Sequence, residues 1–546
     1  MQFRAAAILT IVLLLPYSLF ADEVPLTDIR RAINEGVRII LDTQRDDGAF
    51  VLSESHMEAY PIGNSALALM SLQYARAHLG GKLRADTLNA IRKGMGWMSQ
   101  QPPDEKTYSS GLAICAFFME NPTRYKRQIA MHAMMLITTQ HEEDYEAGEW
   151  GYRLRPFSKN LKSMVRQHGA IEAWADRSNT QFALLGLYHA SRAGFQVPKI
   201  TWQRSADHYK RSQFEDGGWG YMPTLRPDAY ANMTIASTIS LNLCEEMLRP
   251  QRRKDCSPPP RCEPIEKGLD WIDKNWRKER IGRDPYGLYA LERLGIIMGR
   301  ANIGSHDWYN EGAAQLVGRS GWGGTMGGEN VATAFGLMFL ARGLEPIIFN
   351  KLERRGTNDW NNDPYDIKHL TEYIRDHYQK PVQWRIVSLD APLDLLLRTP
   401  MLYISGCLPL EFNEQEKQKL KDYVAGGGTI IGQACCGKKA FDKSFRELIK
   451  ELFETDLAPV PNTHPIYRRM KSHGRIPKPR VEMAHLEQGQ GRPFVIYLPQ
   501  DHSCRWHTGG PKARDAYAVG KGIYFYVTIE VRKMIQAAED NSPGGP

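Results

Sequence analysis

Three things are scarce in this 546-residue sequence, and each absence narrows what it can be. Past Phe20 no hydrophobic run reaches the length of a membrane span, so no transmembrane segment is expected in the mature chain. No basic face is concentrated either. The 70 Lys and Arg residues are interspersed with 62 Asp and Glu, and the largest clusters, Arg252-Arg253-Lys254 and Arg468-Arg469, are short and free of aromatics. A nucleic-acid groove needs a dense basic surface, so nucleic acid is not an expected partner. Finally, no two cysteines stand at CxxC spacing, so the sequence singles out no metal set and implies no cofactor. What is present is globular composition, 42% hydrophobic and 24% charged, in a chain too long for one ordinary core. Two domains are the expectation.

The first residues read MQFRAAAILTIVLLLPYSLFADEVP. Arg4 supplies a positive start, Ala5 to Phe20 an apolar run, and Ala21 a small residue at a cleavage position. This is the pattern of a secretory signal peptide over residues 1–21, which predicts a secreted or periplasmic protein. Export permits disulfides. Cys256 and Cys262, flanking a Ser-Pro-Pro-Pro-Arg loop, are the expected pair, whereas Cys115 and Cys244 sit in apolar helical patterns and read as buried and inert.

Between about Ile29 and Arg342 a two-part unit recurs at a period of roughly 50 residues. One part is an amphipathic helix ending in Gln, then a polar turn, then Gly and an aromatic residue. Gln44-Gly48-Phe50, Gln140-Gly148-Trp150, Gln213-Gly217-Trp219 and Gln315-Gly321-Trp322 are four copies. The other part is a helix opening on Asn or a small hydroxyl residue and apolar on nearly every side. It starts near Asn64, Ser109, Asn179, Asn232, Tyr286 and Asn330. Asn, Ser and Thr there are expected to cap their helices, Asn232 of the sequon Asn232-Met233-Thr234 included. Six buried helices with six outer partners predict a closed α/α toroid, with an open superhelix as the alternative.

The runs NTQFALLGL and DGGWGY, with the Gln–turn–Gly-x-Trp pattern, resemble the repeats of squalene–hopene cyclases and protein prenyltransferase subunits. That resemblance implies a toroid and raises the question of its chemistry. Cyclases of this kind use a DxDD-type acid at an inner-helix start; here those starts carry no acidic cluster, and Asp176, Asp228, Asp284 and Glu329 stand singly just before or at them. The zinc ligands of the transferases, an Asp-x-Cys with a later His on inner helices, are also missing. Single carboxylates at helix starts are favoured by the helix dipole alone. A central cavity lined by Phe182, Leu184, Met233, Phe335 and Met338 would suit an apolar ligand, or these side chains fill the core. The candidate ligand-binding residues are Asp176, Thr180, Asp228, Thr234, Glu329, Trp219 and Trp322.

After Gly343 the pattern changes. An Asn-rich bridge, RRGTNDWNNDPYDIKHLTEYI, leads to alternating strands and helices: WRIVSLD, MLYISG, the helix EQEKQKLKDYV, TIIGQA, the helix FDKSFRELIKELF, RPFVIYLP and GIYFYV. Gly426-Gly427-Gly428 follows a helix and precedes a strand, which is a C-cap and turn; a phosphate loop has the reverse order. The alternation predicts a doubly wound, mainly parallel sheet of flavodoxin or amidotransferase type. WNNDPYDIKHLTEYI, MLYISG, YVAGGGTII, FRELIKELF and His464-Pro465 resemble the bacterial domain-of-unknown-function family 4159, which implies a class I glutamine-amidotransferase-like fold from about Pro346 to Ile529. The expected layout is thus a toroid over 22–343, a linker and start of the second domain over 344–380, the α/β domain over 381–533, and a disordered tail over 534–546.

Ligands of such sheets sit beyond the carboxyl ends of the strands. Asp390, Cys407, Cys435-Cys436 and Asp501-His502-Ser503-Cys504 are all expected there. Three readings stay open: Cys407 or Cys435 as a nucleophile with His502 as base, a metal held by these cysteines and His502, or a pair of cysteines stapling loops. SGCLP and QACCG both depart from the Gly-x-Cys-x-Gly elbow of amidotransferases. The expectation is a non-catalytic binding or scaffolding protein of the cell envelope, taking an apolar small molecule or an envelope protein. An isoprenoid-acting enzyme in the toroid and a cysteine hydrolase in the second domain are the alternatives.

Overall fold

The computed structural model describes residues 24–54, 60–154, 174–222, 228–249, 257–317, 328–471, 478–485, 491–510 and 513–540. The expected signal peptide, Cys256 and Trp322 lie outside these residues. The chain is mainly helical, with one seven-stranded, mostly parallel sheet in its C-terminal part.

The repeat helices are α1 (Leu26–Leu41), α2 (Pro61–Ala75), α3 (Gly81–Gln100), α4 (Thr107–Glu120), α5 (Lys126–Thr138) and α6 (Arg177–Arg192). They continue with α7 (Lys199–Arg211), α8 (Ala231–Leu248), α9 (Glu263–Asn275), α10 (Pro285–Ile297), α11 (Trp308–Leu316) and α12 (Glu329–Gly343). Even-numbered helices are the apolar ones expected inside. In α2, 13 of 15 residues are buried, against 6 of 16 in α1, so the two classes occupy different layers. Each even helix packs on the next, α2 on α4 and so on to α10 on α12, and α12 packs back onto α2. The odd helices bridge them from outside; α1, for example, lies on both α12 and α2.

The recurring Gln, Gly, aromatic and hydroxyl positions have one shared purpose. Gln44, Gln140 and Gln213 each donate from Nε2 to the turn glycine's carbonyl and to a carbonyl of the following outer helix, at Ala90, Thr201 and Pro264. Gly48, Gly148 and Gly217 adopt φ of 101°, 99° and 92°, a region costly for other residues. The aromatic residue's backbone N–H then donates to an inner-helix hydroxyl: Phe50 to Ser65, Trp150 to Thr180, Trp219 to Thr234. This corrects the capping expectation. Asn64 accepts from Leu52 N–H and Asn232 donates to Asp284, so these residues tie neighbouring segments together. The caps are carboxylates: Asp176 accepts from Asn179 N–H and Asp284 from Gly287 N–H.

The sheet strands are β1 (Ile347–Glu353), β2 (Gln383–Ser388), β3 (Met401–Gly406), β4 (Thr429–Ala434), β5 (Ala458–Pro459), β6 (Glu482–His485) and β7 (Pro493–Leu498). Their order is β2-β1-β3-β4-β7-β6-β5, parallel from β2 to β7 and antiparallel at β6 and β5. Strand alternation serves two apolar layers. Met401 and Tyr403 join Ile367, Leu370 and Ile523 on one face, while Leu402 and Ile404 join Leu420, Phe441 and Phe445 on the other. Three expectations are corrected. β1 went unforeseen as a strand because Asn350 and Lys351 interrupt its apolar pattern; it begins the sheet three residues past Leu344, inside the span expected to hold the linker and the start of the second domain. GIYFYV is helical, running from the end of the helix Arg514–Phe525 into the π-helical segment Tyr526–Val531, because burial against the helix α13 (Asp366–Tyr378) outweighs its strand propensity. Arg532–Asp540 is also helical where a disordered tail was expected.

The two parts are joined by buried charge. Lys368 Nζ on α13 sits 2.7 Å from Glu246 Oε1 on α8 and also donates to Tyr188, while Arg192 on α6 pairs with Glu372 and Asp376. Backbone adds to this, Ile386 N–H donating to Gly299 O at 2.7 Å. No helix among the described residues is long and apolar enough to cross a membrane.

Candidate functional site

The carboxyl ends of β1, β3, β4 and β7 converge on one cluster of thiols and carboxylates. Asp359, in the turn after β1, organises its floor. Its carboxylate accepts from the backbone N–H groups of Cys407 at 3.0 Å and Leu408 at 3.1 Å and from Arg354 at 2.7 Å. Burial acts to raise its pKa, but the donors Asn362, Leu408, Cys407 and Arg354 prevail and hold it below the usual value. Cys407 Sγ approaches Cys435 O at 3.8 Å, and Cys435 Sγ lies 3.3 Å from Asp363 Oδ2. Asp501 and Cys504, beyond β7, complete the group: ligand atoms of Asp363, Asp501 and Cys504 lie within 4.8 Å of one another, as do the sulphurs of Cys435, Cys436 and Cys504. Cys436 is disulfide-bonded and holds φ of 52°, a left-handed conformation unusual for a side chain, followed by Gly437 at 61°.

Electrostatically the Cys435 and Cys504 thiols are not poised as nucleophiles. The neighbouring Cys407 thiol, more than burial, pushes Cys435 well above the ordinary thiol value; Cys504 is raised by Cys435 and by burial. His502 is 7% exposed, and burial lowers it to about 4, so it is neutral near pH 7. Neither of its ring nitrogens has a hydrogen-bond partner, so the structure gives it no bond to Cys407 or Cys435. Neither of those cysteines is in a disulfide, so they do not bridge one another. Asp390 is exposed at the end of β2, paired with Arg355, and is outside the cluster. Cys262 is a free thiol, which removes the expected Cys256–Cys262 bridge: it stands at the start of α9, its thiol raised by burial and by Glu245. Asp359 and Asp363 were missed in the sequence because the strand that ends before them was missed.

The helical part holds its candidates differently. Asp176 is buried at the start of α6 and both oxygens accept from Asn179, at 2.8 and 2.7 Å; burial pushes it up to about 7. Thr180, Thr234 and Trp219 are buried turn-to-helix links. Asp228 and Glu329 are exposed. At the centre, where either a cavity or a filled core was open, Phe182, Tyr286, Tyr289 and Phe335 pack against one another, with centroids 5.2–6.4 Å apart. The Arg293 guanidinium covers the Tyr289 ring at 4.1 Å and donates to Gln181.

Two further features lie between the parts. Glu246, His369 and Glu372 are close enough to ligate an ion, but the Lys368 ammonium already takes that place. A cleft of about 540 Å³ is lined from one side by Glu245, Arg249 and Arg300 and from the other by Trp360, Tyr365 and Trp384.

A family model described as a domain of unknown function (DUF4159) matches residues 349–527, the sheet region, in line with the resemblance of the last third. No curated protein matches the chain. Among solved structures, a type II terpene cyclase from Scytonema in complex with geranylgeranyl dihydroxybenzoate is 12% identical, with a TM-score of 0.36, over 58% of this chain and 97% of that one. An inactive variant of an α-1,6-mannanase from Salegentibacter sp., in complex with α-1,6-mannotetrose, is 10% identical, with a TM-score of 0.36, over 58% and 98%.

Proposed function

We propose that this chain is a non-catalytic binding or scaffolding protein of the cell envelope, in which a closed α/α toroid is fixed to an amidotransferase-like α/β domain. The return of α12 onto α2 supports the toroid, and the strand order with five mutually parallel strands supports the doubly wound domain. One observation carries the binding reading: the two parts are locked by buried ion pairs and yet enclose the 540 Å³ cleft between them. Its lining mixes arginines, a carboxylate and aromatic rings, which favours a ligand with a planar apolar body and charged groups over a purely apolar one. The aromatic rings packed together at the centre of the helical part argue in the same direction. The Cys435 thiol, held protonated by its surroundings, and the unpartnered His502 speak against the cysteine hydrolase.

Native mass spectrometry of the chain purified from a bacterial envelope fraction tests this. A retained small molecule or domain whose occupancy falls at least 10-fold in Arg249→Ala and Trp360→Ala supports the reading. Recovery from the cytosol with nothing retained overturns it. An isoprenoid-acting enzyme remains the second reading, favoured by Asp176, a buried carboxyl pushed up to about 7 at an inner-helix start. Turnover of a linear isoprenoid, abolished by Asp176→Asn, would replace the first reading with the second.

A further inference from the structure

Asp363 carries the argument. Its side chain is 4% exposed, it makes no ion pair among the described residues, and the contact its carboxylate does make is with the Cys435 thiol at 3.3 Å. The nearest ammonium, Lys351 Nζ, bonds the Asp363 backbone carbonyl at 2.8 Å and is committed to Asp366 at 2.6 Å. A buried carboxylate without a cation is costly unless something neutralises it. Asp501 also has no ion pair among the described residues; its Oδ1 accepts from Ser503 Oγ and Cys504 N–H, both at 3.2 Å. Two carboxylates and two thiols thus converge from three separate strand ends, β1, β4 and β7. His502, between Asp501 and Cys504 in the chain, is also more than nine-tenths buried with both ring nitrogens unpartnered, its ring stacked against Trp506 and not among the converging ligand atoms.

We propose that Asp363, Cys435, Asp501 and Cys504 form a binding site for a divalent, zinc-like metal ion. The donor set decides the class. Thiolates exclude magnesium and calcium, which take oxygen ligands, and two carboxylates make the set too hard for copper(I). Zinc accepts sulphur and oxygen together in a tetrahedron whose ligand atoms stand roughly 3.3–3.8 Å apart; Asp363, Asp501 and Cys504 lie within 4.8 Å of one another, and Cys435 joins them through Asp363 at 3.3 Å and through Cys504 within 4.8 Å. Cys436 is not counted: its sulphur, 3.6 Å from that of Cys504, is already in a disulfide. Binding breaks two S–H bonds, sends two protons to solvent and forms two metal–sulphur bonds, with no change of oxidation state. The site lies beyond the carboxyl edge of a doubly wound sheet, where ligands of this architecture gather. This inference does not depend on the junction cleft.

Cobalt(II) added to the chelator-treated full chain is the probe. One equivalent should give sulphur-to-cobalt charge-transfer absorption and tetrahedral visible bands, both removed by one equivalent of zinc. Cys435→Ser and Cys504→Ser should each abolish the charge-transfer band or halve it. Asp363→Asn, nearly isosteric, should weaken zinc binding by roughly 100-fold while circular dichroism shows a folded chain. Cys244→Ala, in the helical part, should leave the spectrum intact. Zinc should also protect Cys435 and Cys504 from alkylation. A charge-transfer band that never appears, or one undiminished in either serine variant, overturns the proposal, as does zinc uptake unaffected by Asp363→Asn.

Discussion

The helical and sheet parts bury polar groups to opposite ends. In the helical part the amide Nε2 groups and inner-helix hydroxyls of the repeat turns are partnered across segments: Gln213 spans a turn and the next helix, and Thr234 takes the Trp219 N–H. At the carboxyl edge of the sheet, Asp363 and His502 are buried with a single thiol contact and with none, respectively. A buried polar group that is fully bonded specifies a fold; one left open stores a cost that only a ligand or proton repays. The contrast therefore separates residues that build from residues that wait.

The largest test strikes the seam between the two parts. Lys368→Met would leave Glu246 buried beside Glu372 with less positive charge, and should destabilise the chain by about 3–5 kcal/mol, read by calorimetry as a lower or split transition. The same seam has a pH signature. Burial acts to raise Glu246, but Lys368 and His369 outweigh it and lower it to about 2, and Arg192 and Lys368 depress Glu372 further. Carboxyls depressed in the folded state stabilise it above their unfolded pKa, near 4.5, and lose that contribution as pH falls toward 2. Thermal stability should thus drop between pH 5 and roughly 2, and Lys368→Met should flatten that drop.

Next in size is a pair of substitutions with opposite expected sign. Thr234→Val leaves the buried Trp219 N–H unbonded and should cost about 1–3 kcal/mol in denaturant unfolding. Asp363→Asn removes an uncompensated buried charge and should be neutral or stabilising by up to about 1 kcal/mol in metal-free protein. Equal losses in both would erase the distinction drawn above. The smallest effect concerns the turn itself. Gly217→Ala forces a side chain into φ of 92° and against Lys267 O at 2.8 Å, so a loss of about 1–2 kcal/mol is expected, seen as a lower melting temperature.

How much of this was readable in advance follows the same divide. The repeat was legible because its Gln, Gly and Trp positions recur and its inner helices are apolar on every side. What the turns bond to was not, since Thr234 meets Trp219 through a fold and not through spacing along a helix. In the sheet, runs such as MLYISG and TIIGQA announced themselves, while β1 hid behind buried Asn350 and Lys351. With β1 hidden, Asp363 read as part of a polar bridge. The cysteines and His502 were visible as residues, but no spacing rule links strand ends 28 to 72 residues apart, such as Cys407 to Cys435 and Asp363 to Cys435. The hydroxyl-capped helix starts misled for a related reason: the short polar side chains that suit a cap also suit a tie to a neighbour.

The return of α12 onto α2 also governs when this protein can finish forming. Arg342 donates to Tyr74, 268 positions earlier in the chain. A growing polypeptide can stack its first five hairpins as they emerge, yet the edges of α2 stay bare until the sixth arrives. Closure is thus a late event of high contact order, and it comes just as β1 leaves the ribosome three residues after Leu344. Chains stalled before that point would present a long apolar seam to each other, and stacking end to end is the failure to expect of them.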